Sequence, residues 1–62
     1  MSIVLKIIDI VQDEMIAKSR EHRTIKIPKD KLPKYARVGD LIRHCEHGYF
    51  DVIDENGNLI YR

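Results

Sequence analysis

From Ile3 to Val11 the chain is densely apolar and rich in β-branched side chains, with Lys6 and Asp9 as its only charges. An amphipathic surface helix carries polar residues around more of its circumference, so this density predicts a strand at the centre of a sheet, covered at least partly on both faces. Polar steps at Gln12-Asp13 and Glu21-His22 then set off Glu14–Arg20 and Arg23–Pro28, where Ile25 and Ile27 alternate with Thr24 and Lys26. The pattern predicts a three-stranded meander. Neither step holds the Asn-Gly or Asp-Gly pair that fixes a hairpin turn, and one added loop residue moves every side chain of a strand to the other face. Tight two-residue turns place Ile16 beside Ile27 and send Met15 and Ala17 to the opposite face; a longer first loop shifts that pairing.

Pro28 and Pro33 bracket Lys29-Asp30-Lys31-Leu32. Because a residue before proline is driven out of the helical region, this segment predicts a single helical turn near residues 29–35, with Leu32 and Tyr35 anchoring it to the core. In Val38-Gly39-Asp40-Leu41-Ile42 the glycine can take a positive φ and the aspartate can bond backbone as a new strand opens. Strands follow at Leu41–Cys45 and Tyr49–Asp54, joined by Glu46-His47-Gly48 with Gly48 at the permissive position. Asn56-Gly57 favours a type I′ turn into a terminal strand, Leu59-Ile60-Tyr61. The expected fold is mainly β: one domain over residues 1–62, about six short strands and one helical turn, curled into a small partly closed barrel, SH3-like or OB-like, because curling satisfies strand edges.

The order of Ile8-Asp9, Ile25-Lys26-Ile27-Pro28, Leu32-Pro33, Val38-Gly39-Asp40-Leu41-Ile42, Gly48-Tyr49-Phe50 and Val52-Ile53-Asp54 resembles a family of small bacterial β-rich proteins, domain-of-unknown-function family 3006. The resemblance spans most of residues 8–55 and implies a fold, since that family has no established activity and no functional residue to carry over. Its members commonly continue into a charged helical tail, whereas this chain turns at Asn56-Gly57; whatever that tail does is not expected of these residues.

A chain of 62 residues has one cysteine, Cys45, so no intramolecular disulfide supports its small core, which fits a reducing compartment. The apolar run at the N-terminus is short, contains Lys6 and lacks a basic flank, unlike a signal peptide or membrane span. A cytoplasmic location, bacterial or phage in kind, is the expectation. The net charge is +1, but Lys26, Lys29, Lys31, Lys34 and Arg37 are opposed only by Asp30, a local +4. That segregation marks either a solvated loop or a surface that meets an anion.

Catalytic chemistry finds little footing. His44-Cys45-Glu46-His47, with His22 elsewhere, contains zinc-ligand types, yet on a strand His44 and Glu46 point one way and Cys45 and His47 the other. The same alternation separates Cys45 from the imidazole of His44 that would activate it as a nucleophile. Asp9, Asp13, Glu14, Asp51, Asp54 and Glu55 fall at strand ends and turns, and no phosphate loop, nucleophile elbow or metalloprotease motif occurs. The sequence predicts no enzyme, no metal, no cofactor and no small-molecule substrate.

Two binding readings remain. The first is a protein-interaction module, with a protein partner or self-association as a homodimer, because Ile3, Leu5, Ile7, Leu59, Ile60 and Tyr61 exceed what one small core face needs. The second is single-stranded nucleic acid binding, which small barrels achieve with a cationic groove and stacking aromatics. Lys26, Lys29, Lys31, Lys34, Arg37 and Arg43 would supply the charge and Tyr35 the ring, with Tyr49 or Phe50 as further platforms.

Overall fold

The computed structural model describes residues 3–62; Met1 and Ser2 of the expected 1–62 domain lie outside the described residues. The chain is mainly β, as its pattern predicts. Strands β1 (Val4–Val11), β2 (Glu14–Lys18), β3 (Thr24–Pro28), β4 (Leu41–His44) and β5 (Phe50–Ile53) form one antiparallel sheet in the order β3-β2-β1-β4-β5. The densely apolar β1 is the central strand. The sheet is open, with β3 and β5 at its two edges.

The first turn is the expected two-residue one, with Val11 paired to Glu14 across Gln12-Asp13, but the second loop, not the first, is longer and shifts the pairing. Met15 pairs with Ile27 and Ala17 with Ile25 across β2 and β3, while Ile16 faces Lys26. The cause lies in the second loop, where the Ser19 N–H donates to the Arg23 carbonyl at 2.9 Å and the His22 N–H to the Ser19 carbonyl at 3.1 Å, with His22 at φ 65°. A turn followed by a left-handed residue makes a three-residue loop, and one residue more than a tight turn moves each side chain to the other face. In β1 the register shifts between Ile7 and Asp9, so Ile8 is a bulge. Strict alternation from Leu5 and Ile7 would bury Asp9; the bulge turns Asp9 outward, where its Oδ1 accepts the Ile10 N–H at 2.8 Å.

Leu5, Ile7, Met15, Ala17, Ile27, Ile42 and Val52 share the buried face. The chain from Lys29 to Asp40 crosses this face from the edge strand β3 to β4. A 3₁₀ turn at Lys29–Lys31 sits in the expected helical turn, and Leu32 and Ala36 are buried beneath the crossing while Tyr35 packs against the core. Asp40 prolongs β4 as a partner of β1: Ile7 donates to the Asp40 carbonyl at 2.9 Å and accepts from the Gly39 N–H at 2.8 Å, with Gly39 at φ 96°. The Asp40 carboxylate accepts the Arg37 N–H at 2.9 Å, the backbone role expected of it. It also receives both terminal nitrogens of Arg62 at 2.8 Å, a bidentate pair that pins the last residue to the crossing.

Two turns exchange the expected roles. Asn56 does not take a positive φ, and the Gly57 N–H donates to the Asp54 carbonyl at 3.0 Å, so Glu55-Asn56-Gly57 repeats the three-residue loop with Gly57 left-handed. The turn with two successive positive φ angles is His47-Gly48, at 60° and 80°. The expected sixth strand reduces to one bridge, Ile53 with Leu59, and one bond from the Ile60 N–H to the Val52 carbonyl. Beyond it the chain leaves the sheet edge because Ile60 packs against the core and its carbonyl accepts the Tyr35 hydroxyl at 2.8 Å.

Gly57 stands at φ 85°, and a Cβ there would meet only Arg43 Nη1, at 3.8 Å. A Gly57→Ala variant therefore bears the backbone cost alone. We expect a loss of about 1 kcal/mol, read as a shift in the urea midpoint with the slope unchanged.

Candidate interaction surface

Alternation carries the buried face past the end of its cover. Ile3 lies two residues before Leu5 on β1, Ile25 two before Ile27 on β3, and His44 two after Ile42 on β4, with Phe50 opposite His44. The crossing chain does not reach them, so they line an open groove of about 660 Å³. Ile3 is 64% exposed and Ile25 43%. The floor is set by Leu5 and by Phe50, whose ring meets the His44 imidazole edge to face at 5.2 Å.

The groove adjoins the free edge of β3. Bonds from Lys29 N–H to the Asp13 carbonyl and from Ser19 N–H to the Arg23 carbonyl, each 2.9 Å, terminate the β2–β3 ladder and set its phase. Antiparallel pairs alternate between bonded and non-bonded, so Ile25 and Ile27 bond inward to β2, and Thr24 and Lys26 turn their backbone groups outward. Arg20 and Arg23 stand at the rim. Arg23 meets Glu21 at 3.8 Å, an exposed pair of little energetic weight.

The anticipated interaction residues divide. Leu5 and Ile7 are not an edge: they sit in the central strand, 7% and 0% exposed, because the crossing chain covers them. Ile60 packs against the core, and Leu59 and Tyr61, although exposed, do not line the groove with Ile3.

The basic loop is not gathered onto a common aromatic. Tyr35, the ring placed within it, is half-buried and its hydroxyl is engaged by Ile60. Lys31 Nζ lies 4.6 Å over the centroid of Tyr49, whereas Lys26 stands beside Ile16 on the sheet face away from the core and Lys29, Lys34 and Arg37 are exposed. Arg43 faces the opposite side of the sheet, donating to the Gly57 carbonyl at 3.4 Å.

The Cys45 thiol donates to the Tyr49 carbonyl at 3.1 Å, and among the described residues no three His, Cys, Asp or Glu side chains gather as a metal site requires. Among the described residues no helix is long and apolar enough to cross a membrane. Sequence reasoning overlooked Ile25, His44 and Phe50 as groove residues and Arg20 as its rim, although the shared face of Ile25 and Ile27 was readable from their spacing. In comparison with known proteins, no family profile, no curated protein and no solved structure matches this chain.

Proposed function

We propose that this domain is a non-catalytic protein-binding module that takes an extended apolar segment of a partner into the groove and pairs it with the edge of β3. The observation that carries this reading is the conjunction of the apolar groove with outward backbone groups at Thr24 and Lys26. Strand addition draws affinity from main-chain bonds and specificity from pockets for alternate side chains, and both elements are adjacent here. Arg20 and Arg23 outnumber the single acid Glu21 at the rim and favour acidic flanks on the partner. The partial curl of the sheet toward an SH3-like or OB-like form, and a cytoplasmic setting in keeping with the single thiol of Cys45, belong to the same proposal. The motifs shared with family 3006 contribute no activity to it.

The test is selection of extended peptides from a random library against the wild-type domain, with sedimentation velocity to detect pairing with a second copy. Ile25→Asp is the decisive variant: Ile25 is already exposed, so the fold survives while a charge enters the groove. Enriched peptides with alternating apolar residues and acidic flanks, weakened tenfold or more by Ile25→Asp, are the expected result. Peptides indifferent to that substitution would sink the idea. So would strong, salt-sensitive retention of single-stranded oligonucleotide by Lys29, Lys34 and Arg37, the signature of the nucleic acid reading.

A further inference from the structure

The sheet has a second face, and its cations are arranged against their own interest. Lys6 on β1 stands directly opposite Lys18 on β2. Since Ile7 bonds toward β4, Lys6 bonds toward β2, and the two lysines form a hydrogen-bonded pair with Cα atoms roughly 5.5 Å apart. Like charges directly opposed across strands are destabilising. No carboxylate relieves them, because the ion pairs among the described residues are Arg23 with Glu21 and Arg62 with Asp40.

Both lysines border a cavity of about 410 Å³ on this face. Its floor is apolar: Val4, Leu41 and Ile53, the last only 3% exposed although it lies across the sheet from the main core. Its wall is the turn from Asp54 to Gly57. The Asp54 carboxylate is turned into that loop, accepting the N–H groups of Asn56 and Asn58 at 2.8 and 2.9 Å, and does not pair with the lysines. Arg20 adds a third cation, and Glu55 is the one acid at the wall left without a partner among the described residues.

We propose that this cavity binds a small phosphate monoester whose apolar body rests on Val4, Leu41 and Ile53 while its phosphate bridges the ammonium groups of Lys6 and Lys18. A phosphate monoester carries close to two negative charges at neutral pH, which matches two ammonium groups borne on directly opposed positions of neighbouring strands and converts their repulsion into attraction. The cavity volume suits a small molecule. The cavity meets the groove at Val4, Leu5, Ser19 and Arg20, but Lys6, Lys18, Leu41 and Ile53 line the cavity alone, so the proposal stands whether or not the groove binds protein.

The experiment follows backbone amide shifts by NMR as phenyl phosphate, phenol or inorganic phosphate is titrated into the whole domain. Phenyl phosphate is expected to saturate, moving the amides of Lys6, Lys18, Leu41, Ile53 and Asn56, and to bind more tightly than either fragment. Lys6→Gln and Lys18→Gln should each weaken it about tenfold or more, while Lys29→Gln leaves it unchanged. Both cavity variants should also melt at the same or a higher temperature, because one repelling charge is gone. Equal binding of phenol, unchanged affinity in the lysine variants, tighter binding of single-stranded oligonucleotide through the same residues, or lowered melting temperatures in both variants would each overturn the proposal. Failure here leaves the peptide selection with Ile25→Asp untouched as a test of the groove.

Discussion

Replacing Ile42 by alanine is expected to cost about 3–4 kcal/mol, among the largest effects of any truncation in the core. Ile42 is fully buried on β4, paired with Leu5 on one side and Val52 on the other, so its side chain lies between strands from both halves of the sheet. Removing three carbons there leaves a cavity bounded by β-strands that cannot close inward without breaking ladder bonds. A domain of this length has roughly 3–9 kcal/mol of stability in total, so the variant should be substantially unfolded at moderate temperature. Urea titration followed by far-UV circular dichroism measures it. Val11→Ala is the control: Val11 is 48% exposed, and its loss should stay near 0.5 kcal/mol or below. Equal costs at the two positions would mean that the face bearing Ile42 is not the core.

The strand pattern was legible wherever one local rule decided the outcome. β-Branched density located β1 at the centre, and Gly39-Asp40 marked the entry to β4. The reading failed where two local preferences competed. Asn56-Gly57 favours a type I′ turn, but the Asp54 carboxylate accepts the N–H groups of Asn56 and Asn58, and those bonds hold the turn with only Gly57 left-handed. The register of β2 against β3 depended on one extra residue in the Ser19–Arg23 loop, for which the sequence carries no glycine or asparagine signal.

The candidate surfaces were legible only in part, because burial depends on what crosses a face. Ile3, just before β1, continues the side that bears Leu5 and Ile7, yet the crossing chain buries those two and leaves Ile3 open. The Lys6–Lys18 opposition is invisible until register is known, since the residues are 12 apart in sequence and nothing local couples them. Tyr35 lies in the densest basic tract, which made it the natural stacking ring. Its hydroxyl bond to Ile60, 25 residues away, assigns it to holding the C-terminal segment instead.

Asp40→Asn is expected to destabilise the domain by about 2 kcal/mol at neutral pH, and that difference should vanish in acid. Asp40 is only 9% exposed, and its carboxylate accepts three bonds: two from the Arg62 guanidinium and one from the Arg37 N–H. The guanidinium of Arg62, foremost, holds its pKa below the usual aspartate value, against the opposing effect of burial. The sign follows from linkage. A carboxylate whose folded pKa is depressed contributes stability in full above its unfolded value of about 4, and loses it as pH falls through the lower folded value. The gap between wild type and Asp40→Asn should therefore be flat above about pH 5 and shrink steadily below about pH 4. Asp54 is also depressed, chiefly by the Asn58 N–H, and titrates in the same window, but it is common to both proteins and cancels in the comparison. In an Arg62→Gln background the same Asp40 substitution should cost less, because the strongest partner is already gone. An undiminished gap at low pH, or an equal cost in both backgrounds, would show that Asp40 acts through its shape and its bond to Arg37, not through the ion pair.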